Sequence, residues 1–125
     1  MAKKNPMRDE EREDRIAMEI VVDAHDTEER AMSWYYYLES QLQFPFKATC
    51  IAERAISPLK IKGEVEVIGM AGEEECGREM FVTIRWKKEE LAVPLSQLRP
   101  NSATDEETRQ AVEDWHYWVG MGHEF

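Results

Sequence analysis

The sequence contains little cysteine, glycine and proline: two cysteines, six glycines and five prolines in 125 residues. Cys50 and Cys76 stand alone without a C-x-x-C pair, so neither a disulfide framework nor a structural zinc site is supported. We expect both thiols to be buried, as free cysteines usually are. The low glycine and proline content excludes fibrous and low-complexity chains. A hydrophobic fraction of 42% is enough for the core of one folded domain.

Long hydrophobic runs are also missing. No segment approaches the roughly 20 apolar residues that a membrane span requires. Residues 1–15 contain no apolar stretch of the kind that forms a signal peptide. We therefore expect a cytoplasmic protein without a membrane partner.

The sequence also contains few basic residues relative to acidic ones. The chain has 16 Lys and Arg against 26 Asp and Glu, which gives a net charge of −10. Such a chain repels the phosphate backbone, so nucleic acid is not expected as a partner, whereas cations and basic proteins are. Acidic and basic side chains balance in residues 1–15, which we predict to be a charged flexible tail. The negative charge then belongs to a single domain over residues 16–125, where it is concentrated in residues 23–42, 73–79 and 105–114.

Residues 16–42 are predicted to be helical. The apolar positions of residues 16–24 fit both a helix and an alternating strand, and we favour a helix that continues from the charged tail. Asp26 and Glu29 have the spacing of a capping box, in which a side chain at the helix start accepts an amide hydrogen bond and a carboxylate reaches back. A second helix begins there, and Pro45 ends it because the residue before a proline is pushed out of the helical region.

A third helix is predicted over residues 105–119. Thr104 and Glu107 form a second capping box. Apolar residues then recur at three- and four-residue spacing on one helix face: Val112, Trp115, Trp118 and Val119. We expect this face and the aromatic run at residues 34–37 to belong to the core, because large aromatic side chains dominate burial.

Between the helices the hydrophobic period changes from helical to alternating. Short segments rich in β-branched and aromatic residues predict strands within residues 46–98, at 46–51, 64–68, 80–86 and 91–95. Residues 87–90 fit a tight hairpin, and the acidic residues 73–75 fit a solvated loop between strands. The predicted fold is therefore α+β, with a small antiparallel meander flanked by N-terminal helices and a C-terminal helix. By analogy with other small sheets, we expect the meander to curl into an SH3-like barrel.

No catalytic motif stands out. Glycine-rich phosphate loops are missing, and no nucleophile signature accompanies any of the three histidines, His25, His116 and His123. Glu113 and His116 match the Glu-x-x-His spacing of di-iron bundles, but that chemistry needs two copies. We do not expect an enzyme.

The clustered carboxylates favour a hard cation such as Ca²⁺, which takes six to eight oxygen ligands. No EF-hand loop is present. Carboxylates at helix N-termini act first as caps, whereas the free carbonyls of a helix C-terminus favour a cation. Glu39 and Asp23 lie near predicted helix C-termini, and Asp26 is close enough in sequence to share an ion with Asp23. The predicted metal ligands are Asp23, Asp26 and Glu39 in the first rank and Glu113 and Asp114 in the second.

Six segments occur in this order: EIVVDA at 19–24, WYYYLE at 34–39, FPF at 44–46, SPL at 57–59, LAVPLSQL at 91–98 and DWHYWV at 114–119. Together they resemble the small acidic calcium-binding proteins of the cyanobacterial CcbP type. The likeness extends from about residue 15 to residue 125. It implies calcium binding without an EF-hand by a soluble intracellular protein that buffers or sequesters the ion. Of the acidic candidates, Asp23, Glu39 and Asp114 lie inside matching segments.

Two functions from different classes are compatible with these features. The first is low-affinity calcium binding that buffers or sequesters intracellular calcium through clustered carboxylates. The alternative is a metal-free SH3-like interaction module whose acidic face binds a basic protein. Converging carboxylate oxygens would favour the first, and an exposed contiguous aromatic patch would favour the second.

Overall fold

The computed structural model of the protein describes residues 9–22 and 24–121. It has three α-helices: α1 is Glu10–Arg15, α2 is Thr27–Gln41 and α3 is Glu106–Gly120. The five strands are β1 (Phe46–Cys50), β2 (Glu64–Met70), β3 (Phe81–Trp86), β4 (Glu89–Pro94) and β5 (Leu98–Pro100). Short 3₁₀ helices at Glu73–Cys76 and Leu95–Gln97 connect β2 to β3 and β4 to β5. The predicted α+β class is confirmed.

The N-terminal segment differs in detail from the prediction. Residues 10–15, which were assigned to a charged tail, form α1, and a π-helical turn, Ile16–Ile20, continues from it. Ile16 and Ile20 are buried in the core. The helical conformation predicted for residues 16–24 therefore ends at Ile20, and no α-helix connects this turn to α2 among the described residues.

Both longer helices begin at an aspartate. The Asp26 carboxylate accepts the amide of Glu29 at 2.8 Å, as the capping box predicts. The Glu29 side chain accepts from the amide of His25 at 2.8 Å, one residue before the cap. For α3 the cap is Asp105 rather than Thr104, and its carboxylate accepts the amide of Thr108 at 2.9 Å. This shift follows from the stronger capping preference of aspartate over threonine.

The strands form one antiparallel sheet in the order β4-β3-β2-β1-β5. Alternate residues of β3 point into the core, with Val82 and Ile84 fully buried, as the period-two pattern predicts. The register of β2 against β3 shifts between Val67 and Gly69. Lys87 and Lys88 form the two-residue hairpin turn with positive φ angles of 48° and 73°, the conformation that two-residue hairpins require.

The sheet is strongly curled, but it does not close into the predicted barrel. β4 and β5 lie on opposite edges, which a flat five-stranded sheet would hold about 19 Å apart. Only the 3₁₀ helix Leu95–Gln97 joins them, and so short a connection spans at most about 14 Å. The edges must therefore approach each other. However, no ladder joins β4 to β5 within residues 9–22 and 24–121, because the 3₁₀ helix separates the strands and β5 has only three residues.

The core is centred on tryptophans from α2 and α3. The Trp34 side chain is completely buried. Its ring centroid lies 5.1 Å from that of Trp115 and 5.6 Å from that of Trp118. Beneath the helices, α2 packs against β2 and α3 against β5. Trp34, Tyr35, Trp115 and Trp118 are buried, as predicted, whereas Tyr36 and Val119 are exposed.

The cysteines and the exposed hydrophobic side chains are relevant to the choice between calcium binding and protein interaction. Both cysteines are free and buried, as expected. Tyr36, 52% exposed, is the one aromatic among the exposed large hydrophobic residues of the described chain, so the contiguous aromatic patch that would favour an interaction module is not found there. No helix in the described part of the chain is long and apolar enough to cross a membrane.

Candidate metal site

The predicted first-rank ligands do not form a single cluster. Asp23 lies outside the described residues. Asp26 caps the start of α2, and Glu39 lies in its last turn. These two positions are thirteen residues apart, so the helical rise separates their backbones by about 20 Å. One ion therefore cannot bind Asp26 and Glu39 together.

Glu39 lies beside a second acidic segment, which the sequence predicts to be a solvated loop. Residues Glu73 to Glu75 form the first turn of the 3₁₀ helix Glu73–Cys76, which packs against α2. The Tyr36 hydroxyl donates to Glu73 Oε2 at 3.2 Å, and Glu39 follows Tyr36 by three residues on the same face of α2. We refer to Glu39, Glu73, Glu74 and Glu75 as the acidic patch.

The pKa values of two neighbouring tyrosines respond to the negative charge of the acidic patch. The hydrogen bond to Glu73, followed by the charge of Glu73, raises the pKa of Tyr36, and Glu39 adds to the effect. Burial raises the pKa of Tyr35, and the charges of Glu39 and Glu73 raise it further. Carboxylates from α2 and from the 3₁₀ helix therefore act on the same two side chains.

The acidic patch has no basic partner in the described chain. All four carboxylates are exposed, and none forms an ion pair with a described lysine or arginine. Nearby Glu79 differs, because Arg54 binds both of its oxygens at 3.1 and 2.8 Å. A cation at the acidic patch would therefore not have to displace a protein cation.

The described residues do not form a complete metal site. Nowhere in residues 9–22 and 24–121 do three or more Asp, Glu, His or Cys side chains converge closely enough to hold an ion. The converging oxygens that would favour the calcium hypothesis are thus absent from the described part. The acidic patch supplies negative charge and carboxylate oxygens, but water would have to complete the coordination of Ca²⁺.

The second-rank candidates occupy different surroundings. Glu113 is exposed and lies 3.5 Å from Arg12. Asp114 is completely buried. Arg15 donates to both of its oxygens, Nε to Oδ2 at 3.0 Å and Nη2 to Oδ1 at 2.7 Å. The Tyr37 hydroxyl donates to Oδ2 at 3.2 Å.

Asp114 therefore joins three elements of the fold. Arg15 ends α1, Tyr37 lies in α2, and Asp114 belongs to α3. A second arginine, Arg12, places its Nε 3.4 Å from Asp114 Oδ1. A cation at this carboxylate would have to displace two arginines, so the geometry fits a structural anchor better than an ion site.

The Asp114 anchor predicts a loss of stability at alkaline pH. Burial, and then the charge and hydrogen bond of Asp114, raise the pKa of Tyr37 to about 12. An unfolded tyrosine has a pKa of about 10, so the contribution of Tyr37 to stability is complete below pH 10 and is lost as the pH rises towards 12. Tyr37→Phe should flatten this part of the profile when urea unfolding is followed across the pH range. An unchanged alkaline slope in the variant would contradict the assignment.

Two features of this region were not predicted from the sequence. The contact of Glu73 with Tyr36 and the pairing of Arg15 with Asp114 each join residues that are distant in the chain, 37 and 99 residues apart. The acidic run at residues 73–75 was itself a visible signal. Its proximity to Glu39 depends on how α2 lies across the sheet, which local patterns do not specify.

The fold and the site together define a small acidic α+β protein whose unpaired surface carboxylates suit a hard cation. The family model for CcbP-type calcium binding matches residues 14–119, and the chain belongs to this family of calcium-binding proteins. The resemblance stated from the sequence is thus confirmed.

Two solved structures are similar over nearly the whole chain. The crystal structure of Anabaena CcbP is 39% identical with a TM-score of 0.85, and the match covers 98% of this chain and 100% of that one. A calcium-binding protein in its calcium-binding form is 40% identical with a TM-score of 0.82, covering 94% and 96%. None of the curated proteins searched matches the chain.

Proposed function

We propose that this protein binds Ca²⁺ with low affinity at the acidic patch, with Glu39 and Glu73 as the main carboxylate ligands. The observation that carries the proposal is a set of exposed, unpaired carboxylates from two elements around Tyr36 in a member of a calcium-binding family. The free carbonyls in the last turn of α2 add negative potential at Glu39. The related protein in its calcium-binding form gives further support.

Low affinity follows from the small number of protein ligands. Calcium takes six to eight oxygens, and weakly liganded sites have dissociation constants of about 10⁻⁴ to 10⁻³ M. Two carboxylates from separate elements provide only part of that coordination, and water provides the remainder. The net charge of −10 raises the local cation concentration around the whole molecule.

A second ion is proposed for the opposite end of α2, with Asp23 and Asp26 as ligands. Asp26 uses Oδ1 to cap the helix, which leaves its second oxygen for an ion. Asp26→Asn is informative because asparagine caps helices about as well as aspartate. Weaker calcium binding at an unchanged melting temperature would support Asp26 as a ligand, and unchanged binding would contradict it.

The physiological role that we propose is calcium buffering in the cytoplasm. A weak, exposed site releases its ion rapidly when the free calcium concentration falls, because the protein does not enclose the ion. Such a protein limits excursions in calcium concentration without retaining the ion when the concentration is low. No catalytic step is required for this role.

Calorimetric calcium titration at physiological ionic strength tests the proposal. We expect saturable binding with a dissociation constant of about 10⁻⁴ to 10⁻³ M. Millimolar calcium should raise the melting temperature, because an ion that binds the folded state stabilises it by mass action. The double variant Glu39→Gln and Glu73→Gln should bind about tenfold more weakly, since it removes both charged ligands.

The matched control removes two charges elsewhere. Glu64 and Glu90 are exposed on the strands. The double variant Glu64→Gln and Glu90→Gln removes two negative charges from the molecule, as the double variant of Glu39 and Glu73 does. It should change the calcium affinity by less than about twofold, the effect of long-range charge alone. An equal loss in both double variants would show non-specific attraction. The absence of saturable heat and of any thermal shift in the parent protein would refute calcium binding.

A further inference from the structure

A groove on the face formed by α3 and β5 brings three arginines together in a strongly acidic protein. Its cavity volume is about 630 Å³, within the range of about 300 to 1,000 Å³ typical of small-molecule sites. Arg12, Arg99 and Arg109 all line it, and among the described residues Glu113 is the one acidic side chain in the lining. We call this cavity the arginine groove. Its local charge is opposite to the net charge of −10.

The arginines differ in how far their guanidinium groups are already engaged. Arg12 lies 3.5 Å from Glu113 and 3.4 Å from Asp114. Arg109 uses only Nε, which donates to the Thr104 carbonyl at 3.0 Å. Arg99 is exposed on β5 and has no hydrogen-bond or ion-pair partner in the described chain. Arg99 and the outer nitrogens of Arg109 are therefore available to an anion.

The rest of the groove is apolar and held in place. Pro100 and Val112 are buried beneath the groove, and Tyr117, which is partly exposed, contributes an aromatic side chain to its lining. The Tyr117 hydroxyl accepts from the amide of Asp9 at 3.0 Å and donates to Glu13 at 2.6 Å. The ring is thus fixed by α1 before any ligand arrives, which lowers the entropic cost of binding.

His116 lines the groove with an uncharged imidazole ring. Its Nε2 lies 2.8 Å from the Leu98 carbonyl, and because a carbonyl can only accept, this nitrogen carries the proton. Burial, and then the charge of Arg99, lower the pKa of His116 below its ordinary value. The ring is therefore uncharged at neutral pH, so the positive charge of the groove comes from the arginines.

We propose that the arginine groove binds a small organic anion, whose phosphate or carboxylate pairs with Arg99 and Arg109 and whose flat apolar body packs on Tyr117. Guanidinium groups match both anions because they form two parallel charge-assisted hydrogen bonds to either. The apolar surface selects a ligand with a ring or chain attached over a bare inorganic ion. This site is separate from the acidic patch and does not depend on calcium.

Calorimetric titration of the calcium-free full chain with AMP and with indole-3-acetate tests the proposal. AMP carries a phosphate and indole-3-acetate a carboxylate, so the comparison distinguishes the two sources of the anion. We expect one of them to bind saturably with one ligand per chain. Adenosine and inorganic phosphate, which each lack one half of the recognised group, should bind at least about tenfold more weakly than AMP if phosphate is preferred.

Three variants locate the binding. Arg99→Gln should weaken the preferred probe about tenfold, the usual effect of losing one charge-assisted pair. Ser102→Glu places a negative charge at an exposed lining position and should also weaken it. Arg85→Gln is the matched control, because Arg85 is an exposed arginine outside the groove, paired with Glu66, and it should leave the affinity unchanged. Melting temperatures should stay within a few degrees, since all three positions are exposed.

Several outcomes would overturn the proposal. One is that neither probe saturates, and another is that inorganic phosphate binds as tightly as AMP in a phosphate-preferring groove. The third is that Arg85→Gln weakens binding as much as Arg99→Gln does. The calcium-site variant Glu39→Gln with Glu73→Gln should bind the preferred probe normally. Loss of that binding would show that the groove is not separate from the acidic patch.

Discussion

Asp114→Asn should lower the free energy of unfolding by about 3 kcal/mol, because it removes the charge that binds Arg15 and leaves the guanidinium partly buried without its partner. Asp114 is completely buried and Arg15 is 22% exposed, so the ion pair is shielded from much of the solvent. A loss of this size corresponds to a fall in melting temperature of about 10 °C for a chain of this length. Urea unfolding at neutral pH measures it directly.

Glu113→Gln is the matched control for this experiment. Glu113 is the adjacent residue on α3, its side chain is 59% exposed, and its contact with Arg12 is 3.5 Å long. An exposed pair of this kind contributes little, so the variant should lose less than about 0.5 kcal/mol. The double variant Arg15→Gln and Asp114→Asn should lose less than the sum of the two single losses, because the partners act as a unit.

The same variant distinguishes an anchor from a metal ligand. An anchoring Asp114 predicts that the folded Asp114→Asn protein binds calcium as tightly as the parent does. A variant that kept its stability within about 1 kcal/mol but lost calcium affinity would make Asp114 a ligand, as predicted in the second rank from the sequence, and would contradict the anchor.

Patterns within one helix or strand were predictable, and contacts between them were not. The capping spacing located the start of α2 at Asp26, and the alternation of Val82 and Ile84 located β3. These signals depend on neighbours within four residues. The start of α3 was misplaced by one residue, because Thr104 and Asp105 are both possible caps and the choice depends on a small difference in energy.

The candidate metal site shows more clearly that contacts between elements cannot be predicted from local sequence patterns. Glu39 is a predicted ligand because it lies near a helix C-terminus, which is a local property of α2. Glu73 is not among the predicted ligands, because three glutamates in a loop are usually solvated. Its contact with Tyr36 exists only after α2 packs on the sheet. No sequence pattern indicates that Arg15 pairs with Asp114. A segment whose acidic and basic side chains balance is compatible with both a flexible tail and a docked helix. The opened edge of the sheet, similarly, depends on the geometry of one 3₁₀ connection.

Trp34→Ala should be the most destabilising single change in α2, with a loss of about 4 kcal/mol in the free energy of unfolding. The side chain is fully buried and lies against Trp115, Trp118 and the ring of Tyr37, whose centroid is 6.0 Å away. Truncation removes the largest ring at the contact between α2 and α3, and the surrounding rings cannot collapse fully into the space. Chemical denaturation with urea measures the loss.

Trp34→Phe separates the packing contribution from the polar one. The indole Nε1 of Trp34 is buried and has no hydrogen-bond partner within the described part of the chain, so phenylalanine removes an unsatisfied donor while retaining part of the aromatic volume. We expect it to lose less than half as much stability as Trp34→Ala. Met18→Ala, at a side chain that is 69% exposed, should change stability by less than about 0.5 kcal/mol. If Trp34→Phe were as costly as Trp34→Ala, an interaction of the indole itself would hold α2 in place, and the position of Glu39 beside Glu73 would depend on it.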